Sequence, residues 1–257
     1  MPNEISTRPE RRRRGIYILP NLFTTAALFA GFYAIVQAMN GFFEQSCVAV
    51  FAAMILDALD GRVARMTNTQ SAFGAEYDSL SDMVSFGAAP SLVIYEWAMR
   101  DLGKLGWIAA FIYCTCAALR LARFNTNIDV IDKRFFQGLP SPAAAALVAG
   151  LVWVMIDNGI GGTDSLLGVR VSYLACAVTI FAGVSMVSSV FFYSGKGVGR
   201  RRISFAMALG LVIAALLMWS YRPASLFLVF VIYALSGYVM TLVRRLRKRG
   251  LRQSPKP

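Results

Sequence analysis

Asp57-Ala58-Leu59-Asp60-Gly61-Arg62-Val63-Ala64-Arg65, followed after eight intervening residues by Gly74-Ala75-Glu76-Tyr77-Asp78-Ser79-Leu80-Ser81-Asp82, decides how this chain is read. The chain has only 14 acidic residues, yet five of them (Asp57, Asp60, Glu76, Asp78 and Asp82) fall inside this one stretch. Long apolar runs flank them on both sides. An aspartate at the centre of a membrane helix costs about 2.5–3.5 kcal/mol on insertion scales. Four unpaired ones together cost on the order of 10 kcal/mol, comparable to the whole stability of a domain. Something must compensate acids kept at such cost, either intramembrane ion pairs and helix-end contacts or a ligand that they bind.

The surroundings are those of a membrane protein. Of 257 residues, 57% are hydrophobic and 16% charged, against about 25% charged in an ordinary soluble domain. A helix needs roughly 20 mostly apolar residues to cross the hydrocarbon. Eight stretches satisfy or approach that length: 17–39, 46–66, 76–98, 105–126, 141–157, 170–193, 203–220 and 224–243. The expected fold is therefore all-α, a polytopic integral membrane helix bundle of about eight transmembrane helices. The remaining residues are too few for a separate soluble domain, so 1–257 reads as one membrane-embedded unit with basic tails at about 1–16 and 244–257. The apolar run after Arg14 is longer than the core of a cleaved signal and lacks a small-residue cleavage site, so the expectation is a retained first span.

Charge orients the bundle. With both ends cytoplasmic, 22 of the 26 Lys and Arg face inward and four (Arg100, Lys104, Arg170, Arg222) outward; the opposite topology reverses that split. The positive-inside rule thus predicts N-in, C-in, with the acidic stretch at the cytoplasmic mouth; the compact size and the lack of a recognisable targeting segment make the cell membrane the expected location. The runs Arg8–Arg14 and Arg244–Gly250 are read as juxtamembrane anchors to anionic lipid rather than nucleic-acid arms.

What the chain lacks narrows the chemistry. It has no histidine, which excludes Ser-His-Asp triads, histidine metal sites and any imidazole base. Its cysteines, Cys47, Cys114, Cys116 and Cys176, all lie in apolar runs and read as buried small hydrophobes without disulfide or zinc spacing. Gly195-Lys196-Gly197-Val198-Gly199 does not fit the phosphate-loop pattern and reads as a turn. Carboxylates, hydroxyls and Arg/Lys remain.

Helical spacing arranges them. Asp57 and Asp60 are three apart, with Gly61 and Ala64 continuing their face; Gly74, Asp78 and Asp82 are four apart along another. Two antiparallel helices joined by a short turn then turn four carboxylates towards each other. Hard oxygen ligands without His or Cys suit Mg²⁺ or Mn²⁺, and four can share two ions. Small residues allow close approach to the backbone, while Arg62 and Arg65 add positive charge. Divalent metal, small residues and arginine together describe a diphosphate site. A carboxylate-lined cation or proton transporter is the alternative from another class. Against it, the outer halves of the spans hold few acids, Glu96 being the main exception.

Taken with its spacing, Asp57-x2-Asp60-Gly61-x2-Ala64-Arg65-x8-Gly74-x3-Asp78-x3-Asp82 resembles the CDP-alcohol phosphotransferase signature at every fixed position. The resemblance implies a membrane enzyme that moves a phosphatidyl or similar group from a CDP-linked donor to an alcohol, releasing CMP. It implies Asp57, Asp60, Asp78 and Asp82 as ligands of two Mg²⁺ or Mn²⁺ ions, with Asp82 also the general base. It implies Gly61, Ala64, Arg65 and Gly74 at the CDP moiety. Thr24, in Pro20-Asn21-x2-Thr24, is similar to the nucleotide-facing threonine of the family's first helix. Ala118-Leu119-Arg120-Leu121-Ala122-Arg123-Phe124-Asn125 and Gly138-Leu139-Pro140-Ser141-Pro142-Ala143-Ala144 resemble the family's phosphatidylserine synthase branch. That branch implies CDP-diacylglycerol and L-serine as substrates, and a homodimer. A serine carboxylate suits a guanidinium fork, which makes Arg120, Arg123 and Asn125 the acceptor candidates. Other alcohols (glycerol 3-phosphate, inositol phosphate, choline) stay open, with Lys133 and Arg134 as extra cations for a phosphorylated one. The detailed resemblance spans roughly residues 20–144.

Overall fold

The structure is a computed structural model that describes residues 18–67, 71–126, 135–166, 168–193 and 222–253. Outside the described residues lie the expected seventh span at 203–220, the Gly195–Gly199 turn, Arg8–Arg14, Lys133, Arg134, Lys196 and Arg200–Arg202. Helices dominate: α1 (Ile18–Met39), α2 (Phe43–Met66), α3 (Ala72–Asp82), α4 (Ala89–Ile94), α5 (Lys104–Thr126), α6 (Ser141–Asp157), α7 (Val171–Val187) and α8 (Arg222–Gln253). The expected ends at 17–39, 105–126 and 141–157 agree with this to a residue. The all-α expectation needs one addition, two small antiparallel ribbons. In one, β1 (Phe135–Gln137) pairs with β4 (Phe191–Tyr193), with Phe136 opposite Phe192. In the other, β2 (Ser165–Leu166) pairs with β3 (Val169–Arg170).

Among the described residues, three helices are long and apolar enough to cross a membrane, over Asn21–Met39, Lys104–Thr126 and Pro223–Val243. The other expected spans depart from that standard for physical reasons. α2 carries the site's acids and arginines. The expected span at 76–98 is a composite, in which α3 runs through a π-helical segment Met83–Ala88 into α4, then through a second, Tyr95–Met99. α6 and α7 have 17 residues each, about 26 Å of helix, short of the roughly 30 Å hydrocarbon. α6 can be short because it is wrapped by protein: Ser141 and every residue from Ala143 to Val152 are buried. Large apolar side chains such as Phe29, Phe111 and Leu228 instead point outwards, which suits a surface solvated by lipid.

Small residues set the packing that positions the site, as expected where lipid and core are equally apolar. A Cβ at Gly31 of α1 would come within 2.6 Å of the Ser85 Cα, so the absence of a side chain lets the two backbones touch. Along the same seam Ser85 Oγ donates to the Ala27 carbonyl at 3.0 Å, and Ser81 Oγ to the Thr24 carbonyl at 3.1 Å. α1 is thereby pinned to the helix that carries Asp78 and Asp82. The first π-helical segment begins directly after Asp82, and Pro90 sits in the opening turn of α4. Having no N–H, Pro90 gives nothing to the carbonyl four residues back, that of Phe86. The fully buried Tyr113 of α5 donates its hydroxyl to that carbonyl at 3.0 Å. Helical irregularities of this kind recur at functional sites.

Candidate active site

Three elements converge on the acids. α2 presents Asp57 and Asp60, three residues apart. α3 presents Asp78 and Asp82, and its start is fixed by Ser71, whose Oγ accepts from the Gly74 N–H at 3.0 Å. That cap ends the link from α2 and sets the phase of the Gly74-Asp78-Asp82 face. α1 supplies Thr24, whose Oγ1 donates to Asp60 Oδ2 at 2.8 Å; both residues are buried. Asp57, Asp60 and Asp78 each offer a carboxylate oxygen, all within 4.8 Å of one another. Asp78 Oδ1 is buried without a hydrogen-bond partner. Asp82 stands outside that triad, next to Asp57 and within electrostatic reach of Arg120 on α5. Three carboxylates this close repel each other, and a buried acceptor with no donor costs roughly 1–3 kcal/mol. One added cation would remove both penalties. The residues present therefore fit an oxygen-ligated divalent ion of the Mg²⁺ or Mn²⁺ type.

On the Asp60/Asp78 side the structure opens into a pocket of about 230 Å³. Thr24, Gly61, Ala64, Arg65 and Gly74, all expected at a nucleotide moiety, line it together, with Asn21, Ser71 and Ala75 completing the wall. A Cβ at Gly61 would meet nothing nearer than the Arg65 guanidinium at 3.7 Å, so glycine there serves open space rather than helix packing.

The acceptor candidates are not gathered in the same way. Arg120 is directed inwards, hydrogen-bonded to Ser141 Oγ at the start of α6 and facing Asp82 and Asp57. Arg123 donates to the Val187 carbonyl at 3.0 Å and the Gln137 carbonyl at 3.4 Å, tying the end of α5 to α7 and β1. Asn125 pairs with Ser79, Nδ2 to Oγ at 3.0 Å, beside the acid-bearing face of α3.

A comparison with known families settles what this constellation belongs to. Residues 17–185 match the model of the CDP-alcohol phosphatidyltransferase family. The chain belongs to that family. As a CDP-alcohol phosphatidyltransferase it is a membrane transferase of phospholipid synthesis, and the transporter alternative falls away. Among its relatives is a Helicobacter pylori (strain J99) protein named CDP-diacylglycerol–serine O-phosphatidyltransferase, 35% identical over 234 residues, or 89% of this chain and 94% of that one. Proteins of the same name from another Helicobacter pylori strain, 26695, and from Mycobacterium leprae are 41% and 39% identical. They match over 68% and 61% of this chain, and 71% and 54% of their own lengths.

Several supporting residues of this phosphatidyltransferase escaped sequence reasoning. Ser141 sits in a quoted stretch, yet nothing there marks it as the partner of Arg120. Ser71 was legible in principle, as a serine preceding an apolar helical pattern by one residue. Gly31, Ser81, Ser85 and Tyr113 hold the scaffold through contacts between distant positions, which no local pattern reports.

Proposed function

We propose that this phosphatidyltransferase moves the phosphatidyl group of CDP-diacylglycerol onto the hydroxyl of L-serine, giving phosphatidylserine and CMP. The observation that carries the reading is the convergence of the Asp57, Asp60 and Asp78 oxygens within 4.8 Å beside a pocket lined by Gly61, Ala64, Arg65 and Gly74. Serine as the acceptor is supported by the names of the relatives and by the inward-facing Arg120.

The division of labour follows from the residues. Asp57, Asp60, Asp78 and Asp82 would hold two divalent cations, which when bound would supply charge to offset the diphosphate and make CMP a better leaving group. Thr24 orients Asp60 by its hydrogen bond. Gly61, Ala64 and Gly74 leave room for the nucleotide against the backbone, and Arg65 adds a cation at the pocket rim. On the other side Asp82 takes the proton of the incoming hydroxyl as general base. Arg120 and Arg123 use guanidinium N–H groups for the serine carboxylate, and Asn125 lines that approach. The bundle is read as a single eight-span unit with both ends cytoplasmic, in the cell membrane, as a homodimer. The carboxylates then face the cytoplasm, at the level where an anchored lipid diphosphate sits.

The test is CMP release by the purified chain in detergent–lipid micelles with CDP-diacylglycerol and Mg²⁺ or Mn²⁺, comparing L-serine, glycerol 3-phosphate, inositol phosphate and choline. Release with serine alone is the expected result. Release with another alcohol only would retain the carboxylate site and overturn the acceptor assignment.

A further inference from the structure

Two contacts set how α5 lies along α3 and its π-helical continuation. Asn125 Nδ2 donates to Ser79 Oγ at 3.0 Å, and a Cβ on Gly87 would stand 3.2 Å from the Ala117 Cβ. The two pairs run in opposite directions along the chain, so the helices are antiparallel, and Arg120 falls between them at the level of Asp82. From there its guanidinium donates to the hydroxyl of Ser141, in the first turn of α6. Ser141 is fully buried. The arginine is thus held by a neutral oxygen, although two carboxylates, Asp82 and Asp57, lie within its electrostatic reach.

The Ser141 oxygen has little freedom to follow the arginine. Pro140 and Pro142 flank it, each with φ locked by its ring. Just upstream, the Gly138 N–H donates to the Val190 carbonyl at 2.8 Å and the Leu139 N–H to the Ser185 carbonyl at 2.9 Å. Gly138 has φ +86°, and a Cβ there would come within 2.1 Å of the Met186 carbonyl oxygen. The segment can lie this close to the end of α7 only because that residue is glycine. Ser185 is in turn hydrogen-bonded through its hydroxyl to the Tyr238 hydroxyl of α8 at 2.6 Å. The end of α7 and, through Tyr238, α8 therefore brace the corner that carries Ser141.

A guanidinium has five N–H donors in one plane, and its strongest alternative partner here is a bidentate carboxylate. One N–H anchored on a fixed hydroxyl sets the direction of that plane. We infer that Ser141 is a positioning residue, whose hydroxyl keeps the Arg120 guanidinium from closing onto Asp82 and so leaves N–H groups for the acceptor and the carboxylate for its proton. The inference rests on the phosphatidyl-transfer reading, with Arg120 on the acceptor side. A bond that served the fold alone would weaken the protein without favouring one substrate over the other.

The experiment is Ser141→Ala, assayed for CMP release with whichever alcohol the wild type uses, beside Ser141→Thr, which restores the hydroxyl. In Ser141→Ala the KM for the alcohol is expected to rise roughly tenfold, the scale of one lost polar contact, with the KM for CDP-diacylglycerol unchanged. Ser141→Thr is expected to return near wild type. Should Ser141→Ala fail to fold, Ser141→Cys fills the same space with a weak acceptor and is expected to show the same split. An unchanged KM for the alcohol overturns the inference, and so does an equal rise in both constants. Failure of the underlying reading looks different: the wild type then releases no CMP with any alcohol, and the inference falls with it. If serine is inert but another alcohol reacts, only the serine assignment falls, and the split between the two KM values still judges Ser141.

Discussion

Thr24 on α1 donates a 2.8 Å hydrogen bond to Asp60 on α2, with both residues buried at the wall of the same pocket. The bond joins α1 to α2, while α1 is also held against α3 and the π-helical segment that follows it, by Gly31 against Ser85 and by the Ser81 and Ser85 hydroxyls on α1 carbonyls. The small-residue seam thus fixes the helix whose Thr24 hydroxyl holds the Asp60 carboxylate.

Replacing Thr24 by Val keeps the shape and deletes the donor. Loss of a hydrogen bond to a metal-ligating carboxylate typically costs 10–100-fold in metal affinity. The divalent-ion concentration giving half-maximal CMP release is expected to rise about tenfold or more in Thr24→Val and to stay near wild type in Thr24→Ser. Equal behaviour of the two variants would remove the hydroxyl from the account.

Gly61 and Gly31 separate ligand space from packing space. Gly61→Ala has room in the ligand-free protein, so its thermal midpoint is expected to hold while the KM for the CDP-lipid rises several-fold or more. Gly31→Ala drives a methyl into the Ser85 backbone and is expected to lose roughly 1–3 kcal/mol of stability, the usual cost of overpacking. Unfolding in detergent, run beside donor kinetics, distinguishes the two.

Asp78 holds a buried acceptor oxygen with no partner, among other carboxylates. Asp78→Asn removes a like charge and is therefore expected to raise the stability of the metal-free protein. The same change is expected to abolish stabilisation by added Mg²⁺ or Mn²⁺ and to stop turnover. A metal-free variant less stable than wild type would count against an acid cluster held ready for cations.

Asp82→Asn is expected to lower CMP release by at least 10²-fold, within the range of general-base contributions. Stabilisation by the CDP-lipid donor is expected to persist, since the pocket proposed for its nucleotide is lined by Asp60 and Asp78 and not by Asp82. Turnover near wild type would require another group to take the proton.

Tyr113→Phe strips the donor from the Phe86 carbonyl that Pro90 leaves without its usual helical partner. A cost of about 1–3 kcal/mol follows from an unsatisfied buried carbonyl. In a double-mutant cycle with Pro90→Ala, which restores an N–H at that position, the Tyr113→Phe penalty is expected to shrink. Additive losses would mean that the two residues act separately.

Much of the architecture was legible in one dimension because membrane helices announce themselves by length and apolarity, both local properties. The ends of α1, α5 and α6 follow the hydropathy of their own residues. Five residues that the family resemblance places at the nucleotide, Thr24, Gly61, Ala64, Arg65 and Gly74, line one pocket. Helical periodicity explains why those on one helix lie together: with 3.6 residues per turn, residues spaced three or four apart share a face wherever the helix goes.

Contacts between distant positions were not legible. That Asp57 and Asp82 stand beside Arg120, while Asp60 and Asp78 face the pocket, depends on how α2, α3 and α5 are rotated against each other. Spacing within one helix carries no information about that rotation. The commitment of Arg123 to the Val187 and Gln137 carbonyls needs a β1–β4 ribbon joining segments more than 50 residues apart. The hydrogen bond between the Tyr238 and Ser185 hydroxyls arises only when α8 packs back on the bundle. Residue type and period prescribed the helices and the stock of carboxylates. Close packing of small residues, felt only once the helices meet, chose which carboxylate faces which partner.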